Sequence, residues 1–324
     1  MAVDPGILES ERAPRMKLLI INQHPSDVLG GSEMQCDLIA RGLAERGHKV
    51  IYGAVGRKRK ESYSGLPYTV VPLAIEKCGE LFQLLQREKP DVIYWRFNKH
   101  HLLQAVRESK RAGVLFVFAV SHVNDVTKYA YKSPMATSRL TSKVRSLIQI
   151  VGSQVTSGWN FHAFRYITAI TFQLNNQNLG NLPVKKQCVI WNSVSDIKVP
   201  FEWKRPYCIW VANIKPPKQP EVYIKLASIM AERCPGVDFL MIGAVRSEQY
   251  RPILQAAEDM RNFHYLGFQP PEVVNGVLKK AECLIHTCKP EGFPNNMIQA
   301  WMQGCPTITL EYDPDALIQR EQMG

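Results

Sequence analysis

Residues 17–52 read KLLIINQHPSDVLGGSEMQCDLIARGLAERGHKVIY, and the period of the apolar residues changes twice along them. The run 17–22 is strand-like. A turn follows that ends in Gly30 and Gly31, and then Met34, Leu38, Ile39 and Leu43 recur at helical spacing until Gly47 stops the helix before a second strand at 49–52. Strand, crossover helix and strand make a βαβ unit, and its right-handed crossover sets the two strands parallel.

Outward from that unit the same alternation continues. Strands are predicted at 68–73, 91–95, 114–120, 167–172 and 187–191, with helices at 32–46, 79–88, 100–111 and 138–151. The polar, aperiodic residues 1–15 are set aside as an upstream extension or expression remnant. After Asp196 comes a turn-rich interval with two prolines, IKVPFEWKRP, and then the pattern restarts. Strands are predicted at 207–212, 237–242, 262–266, 283–286 and 307–310, and helices at 219–233, 247–261, 271–281 and 294–304. The chain thus divides into an N-terminal domain at 16–197, a linker at 198–206 and a C-terminal domain at 207–324. Two doubly wound α/β domains in tandem predict a ligand in the cleft between them, at the carboxyl ends of the strands.

Composition excludes several classes. With 45% apolar and 21% charged residues among 324, the chain is neither disordered, collagenous nor coiled coil. Its longest clean apolar run, VLFVFAV at 114–120, is far too short for a transmembrane helix. Eight cysteines without a Cys-x-x-Cys pair, and no secretory signal, fit a reducing cytoplasm. Lys and Arg outnumber Asp and Glu by 40 to 29, for a net charge of +11. Much of the excess is local: between Asp125 and Asp196 there is no acidic residue, while Lys128, Lys132, Arg139, Lys143, Arg145, Arg165, Lys185 and Lys186 are all basic. Tyr129, Tyr131, Trp159, Phe161, Phe164 and Tyr166 are interleaved with them. Residues 126–195 therefore suit an anionic membrane surface, and equally a solvated basic face whose aromatics turn inward. A nucleic-acid partner ranks last, because the stretch carries no recognised binding motif.

Four places can carry chemistry. Gly30 and Gly31 precede a helix N-terminus, with Ser32 and Gln35 spaced as a capping box; the turn offers N–H groups to an anion or serves tight packing. His122 follows the 114–120 strand by two residues, where α/β enzymes place working side chains, although a lone histidine is more often structural. The other histidines, including His286, show no metal-ligand spacing, so no metal is expected. In WVANIKPPKQP at 210–220, Lys215 and Lys218 lie on a strand-to-helix loop and can neutralise a diphosphate. The most specific stretch is KPEGFPNNMIQAWMQGCP at 289–306. There Glu291 and Gly292 precede a helix opened by Pro294, with Met297, Ile298, Trp301 and Met302 on its core side and Gly304 as its stop. A carboxylate at a helix head accepts hydrogen bonds from sugar hydroxyls, and the N–H groups there donate to phosphate oxygens. Asp313-Pro314-Asp315 is read as a turn.

These stretches, with GGSEMQCDLIARGLAERGHKV, IWNSVSD and YLGF at 265–268, resemble glycosyltransferases of the GT-B fold, in the large retaining group known as family 4, or glycosyl transferases group 1. The likeness covers about 16–324. It implies two Rossmann-like domains, the second binding a nucleotide sugar and the first an acceptor, and no metal or other cofactor. Carried over by position, Glu291 would hold the donor sugar's hydroxyls, and Gly292, Phe293, Pro294 and Asn295 would line sugar and phosphates. Lys215 and Lys218 would grip the diphosphate, His122 would sit by the reacting centre, and Gly30 and Gly31 would close against donor and acceptor.

Three departures follow. Gln299 stands where the motif's second glutamate is expected, keeping an acceptor for ribose hydroxyls but losing the charge. Asn213 stands where many members carry arginine. A further βα unit and a returning helix are usual after the last strand, so the second domain is expected to be incomplete and the activity of this chain length is left open. The expected function is transfer of a sugar from a UDP- or GDP-linked donor to a glycan, lipid-linked or other acceptor, as in polysaccharide biosynthesis, in the cytoplasm or peripherally at the inner face of the membrane. The alternatives are a silent nucleotide-sugar-binding module and a nucleotide-sugar epimerase of the same architecture.

Overall fold

The computed structural model describes residues 14–28, 30–56, 63–77, 79–121, 125–128, 151–152, 154–177, 182–289 and 291–324. They fall into two compact units. The first comprises Met1–Phe172 with Leu179–Cys188, and the second Gln173–Asn178 with Val189–Gly324.

The first unit is built on β1 (Lys17–Asn22), β2 (Lys49–Val55), β3 (Thr69–Leu73), β4 (Val92–Trp95), β5 (Leu115–Ala119), β6 (Ala169–Phe172) and β7 (Lys186–Val189). Their order is β3-β2-β1-β4-β5-β6-β7, with parallel ladders from β3 through β6. Helices α1 (Gly31–Glu45), α2 (Glu80–Glu88) and α3 (Leu102–Ala112) connect them. Consecutive Leu19, Ile20 and Ile21 are all fully buried, as a parallel strand covered on both faces requires. The order reverses between β1 and β4, so this sheet's topological switch point lies at the ends of those two strands, where Gly30 and Arg96 follow.

The expected capping box does not form. Helix α1 already begins at Gly31, with Gly30 as its cap residue and no side-chain cap. The Ser32 hydroxyl instead accepts from Asn22 Nδ2 at 2.9 Å and donates to the Arg96 carbonyl at 3.4 Å, tying the helix head to β1 and β4. The loop after β1 is held by a polar chain. His24 Nε2 lies 3.1 Å from Tyr68 Oη, Tyr68 donates to Asp37, and Arg41 Nε meets both oxygens of Asp37 at 3.0 and 3.1 Å. His122 and nearly all of the expected 138–151 helix lie outside the described residues, as do Tyr129, Tyr131, Lys132, Arg139, Lys143 and Arg145. Of the described aromatics in the basic stretch, Phe164 is buried edge-on against Phe118, while Trp159 and Tyr166 are exposed.

The second unit is built on β8 (Tyr207–Val211), β9 (Asp238–Ile242), β10 (Phe263–Tyr265), β11 (Cys283–His286) and β12 (Thr307–Thr309), in the order β10-β9-β8-β11-β12 and parallel throughout. Its helices are α4 (Pro220–Arg233), α5 (Arg251–Ala257), α6 (Pro271–Lys280), α7 (Asn295–Met302) and α8 (Leu317–Glu321). Trp210, Tyr223, Phe239 and Phe263 pack in one core cluster, and Ile209, Leu240, Val277, Leu284 and Met297 in another.

Helix α5 is much shorter than the 247–261 helix expected: at its start Pro252 lacks an N–H and its ring disfavours a preceding α-helical turn, and at its end the chain turns at 258–259. Residues 248–250 form a 3-10 turn instead. The interval read as a linker belongs to this unit, whose longer segment begins at Val189. Val199 N donates to the Glu272 carbonyl at 2.9 Å, and buried Asn275 donates to the carbonyls of Ser195 and Ile197, both at 2.8 Å, so this strap lies along α6. Asp313 accepts from the amides of Ile318 and Gln319 at the head of α8, a structural role for the Asp-Pro-Asp turn. Among the described residues, no helix is long and apolar enough to cross a membrane.

Candidate functional site

The second sheet changes winding direction between β8 and β11, and the two loops leaving those strands meet at its topological switch point. The first loop carries Lys215 and Lys218; the second carries His286, the last residue of β11, then Thr287, Cys288 and Glu291. Thr287 joins the loops: its hydroxyl accepts from Trp210 Nε1 at 2.9 Å and donates to the Lys218 carbonyl at 2.8 Å. Lys289 N donates to the Pro217 carbonyl at 3.0 Å. Gln219 takes a left-handed backbone, φ 49° and ψ 52°, which turns the first loop into α4.

The ammonium of Lys218 reaches both carboxylate oxygens of Glu291, Oε2 at 2.5 Å. His286 Nε2 lies 3.6 Å from Glu291 Oε1, and the His286 side chain is fully buried. Burial alone would raise the Glu291 carboxyl, but His286 and the Lys218 ammonium outweigh it and lower it to about 2 from an ordinary 4.5. Cys288, buried beside them, has its thiol pushed up to about 12, chiefly by burial.

A depressed carboxyl makes a signed prediction. The ionised Glu291 contributes stability that is fully present above about 4.5 and is lost as pH falls towards about 2. The urea midpoint of the chain should therefore drop between pH 5 and pH 3 more steeply than that of Glu291→Gln. Equal slopes would show that the pair does not stabilise the fold.

The backbone beneath Glu291 is held by its neighbours. Tyr312 Oη donates to the Glu291 carbonyl at 2.7 Å, Asn192 Nδ2 donates to the Phe293 carbonyl at 2.9 Å, and Phe293 N donates to Gln173 Oε1 at 2.9 Å. Asn192 also donates to Asn295 Oδ1 at 2.9 Å, and Asn296 Nδ2 ties the start of α7 to the Val211 carbonyl at 2.7 Å. Several of the 292–295 backbone groups expected to line a ligand, the Gly292 carbonyl and both Phe293 groups, are thus engaged within the protein. What the loop presents is the Glu291 side chain, at the positive end of an eight-residue helix.

The structure brings Lys218, Glu291, Gly292, Phe293, Pro294 and Asn295 together. Lys215 begins the same loop but is exposed, with no ion pair among the described residues. Gln299 turns to α6: its Nε2 donates to Oδ1 of Asn275, the residue that holds the strap, at 2.9 Å. Gly30 and Gly31 belong to the first unit. At Gly30, whose backbone is extended, an added Cβ would meet the Glu33 carboxylate, so that glycine admits a close side-chain approach. Sequence reasoning missed Thr287, Tyr312, Asn192, His286 and Cys288. For the last two a signal existed, since residues two apart on an extended segment share a face.

Residues 205–324 match the family model described as glycosyl transferases group 1. No curated protein sequence matches the chain. Among solved structures, a glycosyltransferase from Rickettsia africae superposes with a TM-score of 0.65 at 11% identity, covering 96% of this chain and 88% of that one. Sucrose-phosphate synthase from Thermosynechococcus elongatus gives 0.64 at 13% identity, covering 91% and 81%. S. aureus TarM, solved with fondaparinux, alpha-GlcNAc-glycerol and UDP, gives 0.53 at 12% identity; it covers 74% of this chain, which spans 46% of the TarM chain. Likeness at such identities shows the fold: two Rossmann-like units in tandem, as in the GT-B glycosyltransferases, with the group 1 match confined to the second unit.

Proposed function

We propose that the chain is a glycosyltransferase taking a sugar from a UDP- or GDP-linked donor bound by the second unit. The observation that carries this reading is the ionised Glu291, held by Lys218 at the switch point and at the head of α7. Each partner suits one part of such a donor. The diphosphate competes with Glu291 for the Lys218 ammonium, and the carboxylate so released accepts hydrogen bonds from the sugar's hydroxyls. Lys215 adds charge from the same loop, and the α7 dipole favours the leaving phosphate.

Retention follows from the resemblance. The acceptor oxygen bonds to the anomeric carbon on the face the phosphate oxygen leaves, and the acceptor's proton passes to that oxygen. Neither step calls on a metal. By the resemblance, the first unit binds the acceptor, and His122 and the Gly30-Gly31 turn carry the roles that family members give to residues acting on donor and acceptor. The exposed Trp159 and Tyr166 favour an anionic membrane against residues 126–195. Liposome co-sedimentation indifferent to anionic lipid would remove that part. Binding without turnover has one observation in its favour, the Gln299 side chain committed to Asn275.

Thermal unfolding with UDP, GDP and their sugar conjugates, with and without divalent cation, tests the donor reading. One nucleotide sugar should raise the midpoint without metal, and less so in Lys218→Ala. No shift with any conjugate would overturn it. A shift without transfer or donor hydrolysis would replace the enzyme by the binding module.

A further inference from the structure

The proposed reaction gives His286 no role of its own, and its 3.6 Å approach to Glu291 is too long for a hydrogen bond. His286 is 1% exposed, at the end of β11, and neither ring nitrogen has a hydrogen-bond partner. A buried imidazole with two orphaned nitrogens is costly unless something occupies one of them. Around it stand two further donors: one ligand atom each from His286, Cys288 and Glu291 lie within 4.8 Å of one another.

From this geometry we propose that His286, Cys288 and Glu291 form a binding site for a thiophilic divalent cation, zinc(II) by its chemistry. Imidazole, thiolate and carboxylate are the three ligand types zinc takes, at about 2.0–2.3 Å, which places tetrahedral donor atoms roughly 3.3–3.8 Å apart. The His286 to Glu291 distance of 3.6 Å already fits. The Lys218 ammonium contacts the same carboxylate, so cation and lysine exclude each other. Entry of the metal turns Lys218 out of the site. Sequence spacing pairs His286 with Cys288 but not with Glu291, a loop residue brought back to the end of the strand by a turn. The inference rests on the donor set alone and stands whether or not the chain transfers sugar.

The test uses the whole chain, reduced and stripped with chelator. Zinc is titrated against a chromophoric chelator, and cobalt(II) is substituted for spectroscopy. One equivalent should bind. Cobalt should give a thiolate-to-metal charge-transfer band and tetrahedral d–d absorption, both absent in Cys288→Ala. Glu291→Gln should weaken zinc by at least about tenfold, and Lys218→Met should tighten it by about as much, a sign that general destabilisation would not produce. Circular dichroism checks that each variant folds, and the wild-type cobalt spectrum decides without any variant. A cobalt spectrum lacking the thiolate band, or one unchanged in Cys288→Ala, overturns the site. Unchanged zinc affinity in Lys218→Met overturns the exclusion of the lysine.

Discussion

Glu291→Gln is expected to lower the rate of sugar transfer by roughly 10²–10³-fold while nucleotide binding changes by only a few fold. The substitution keeps size and one acceptor oxygen but removes the charge. In the free protein that charge is matched by the Lys218 ammonium; in the donor complex proposed above it faces the sugar, where positive charge develops as the bond to phosphate breaks. The loss should therefore fall on kcat more than on KM. The variant also leaves a mostly buried ammonium without its anion, at a cost of about 1–3 kcal/mol in stability. A UDP or GDP thermal shift of wild-type size in the variant would show that the loop still folds. Transfer within about threefold of wild type would remove Glu291 from the reaction.

Period, punctuation and little else made the fold legible. Strands β1 and β11 run over the residues expected of them, and Gly47 and Gly304, read as helix stops, have φ of 84° and 74°, where glycine is favoured. The sequence pattern failed where a local rule competed with a long-range one. Ser32 satisfies every local requirement of a cap, but Asn22 and the Arg96 carbonyl claim its hydroxyl across the sheet. Pro252 removes the first turn of the expected 247–261 helix by a covalent rule that an apolar periodicity does not register.

At the site, Glu291 and Lys218 were legible because each sits on a loop whose residue types announce a helix head or a phosphate contact. The partner that fixes the role of Gln299 was not. Its side chain meets Asn275, 24 residues earlier on another helix, a pairing set by the packing of α6 against α7. The same applies to Tyr312 and Asn192, which hold the Glu291 loop from 21 and 101 residues away.

The Asn275 strap supplies the second large effect, at a residue with no chemistry. Gly276→Ala is expected to destabilise the second unit by at least about 3 kcal/mol. In an exposed helix interior the same change would stabilise by about 1 kcal/mol, because alanine is the better helix former. Here the added Cβ would lie 1.8 Å from the Val199 carbonyl oxygen and 3.0 Å from its carbon, backbone atoms that no rotamer can move aside. Nor is the strap free to retreat. Val199 N is bonded to the Glu272 carbonyl, and Ser195 and Ile197 are bonded to Asn275, so a shift large enough to admit the methyl breaks those bonds. Overpacking therefore wins over helix propensity. Gln299→Ala, which removes only the bond to Asn275, should cost about 1 kcal/mol and serves as the scale. Urea unfolding followed by tryptophan fluorescence, with Trp203 and Trp210 both in this unit, separates the two variants. A Gly276→Ala midpoint equal to or above wild type would mean that the strap is not held against α6 in solution.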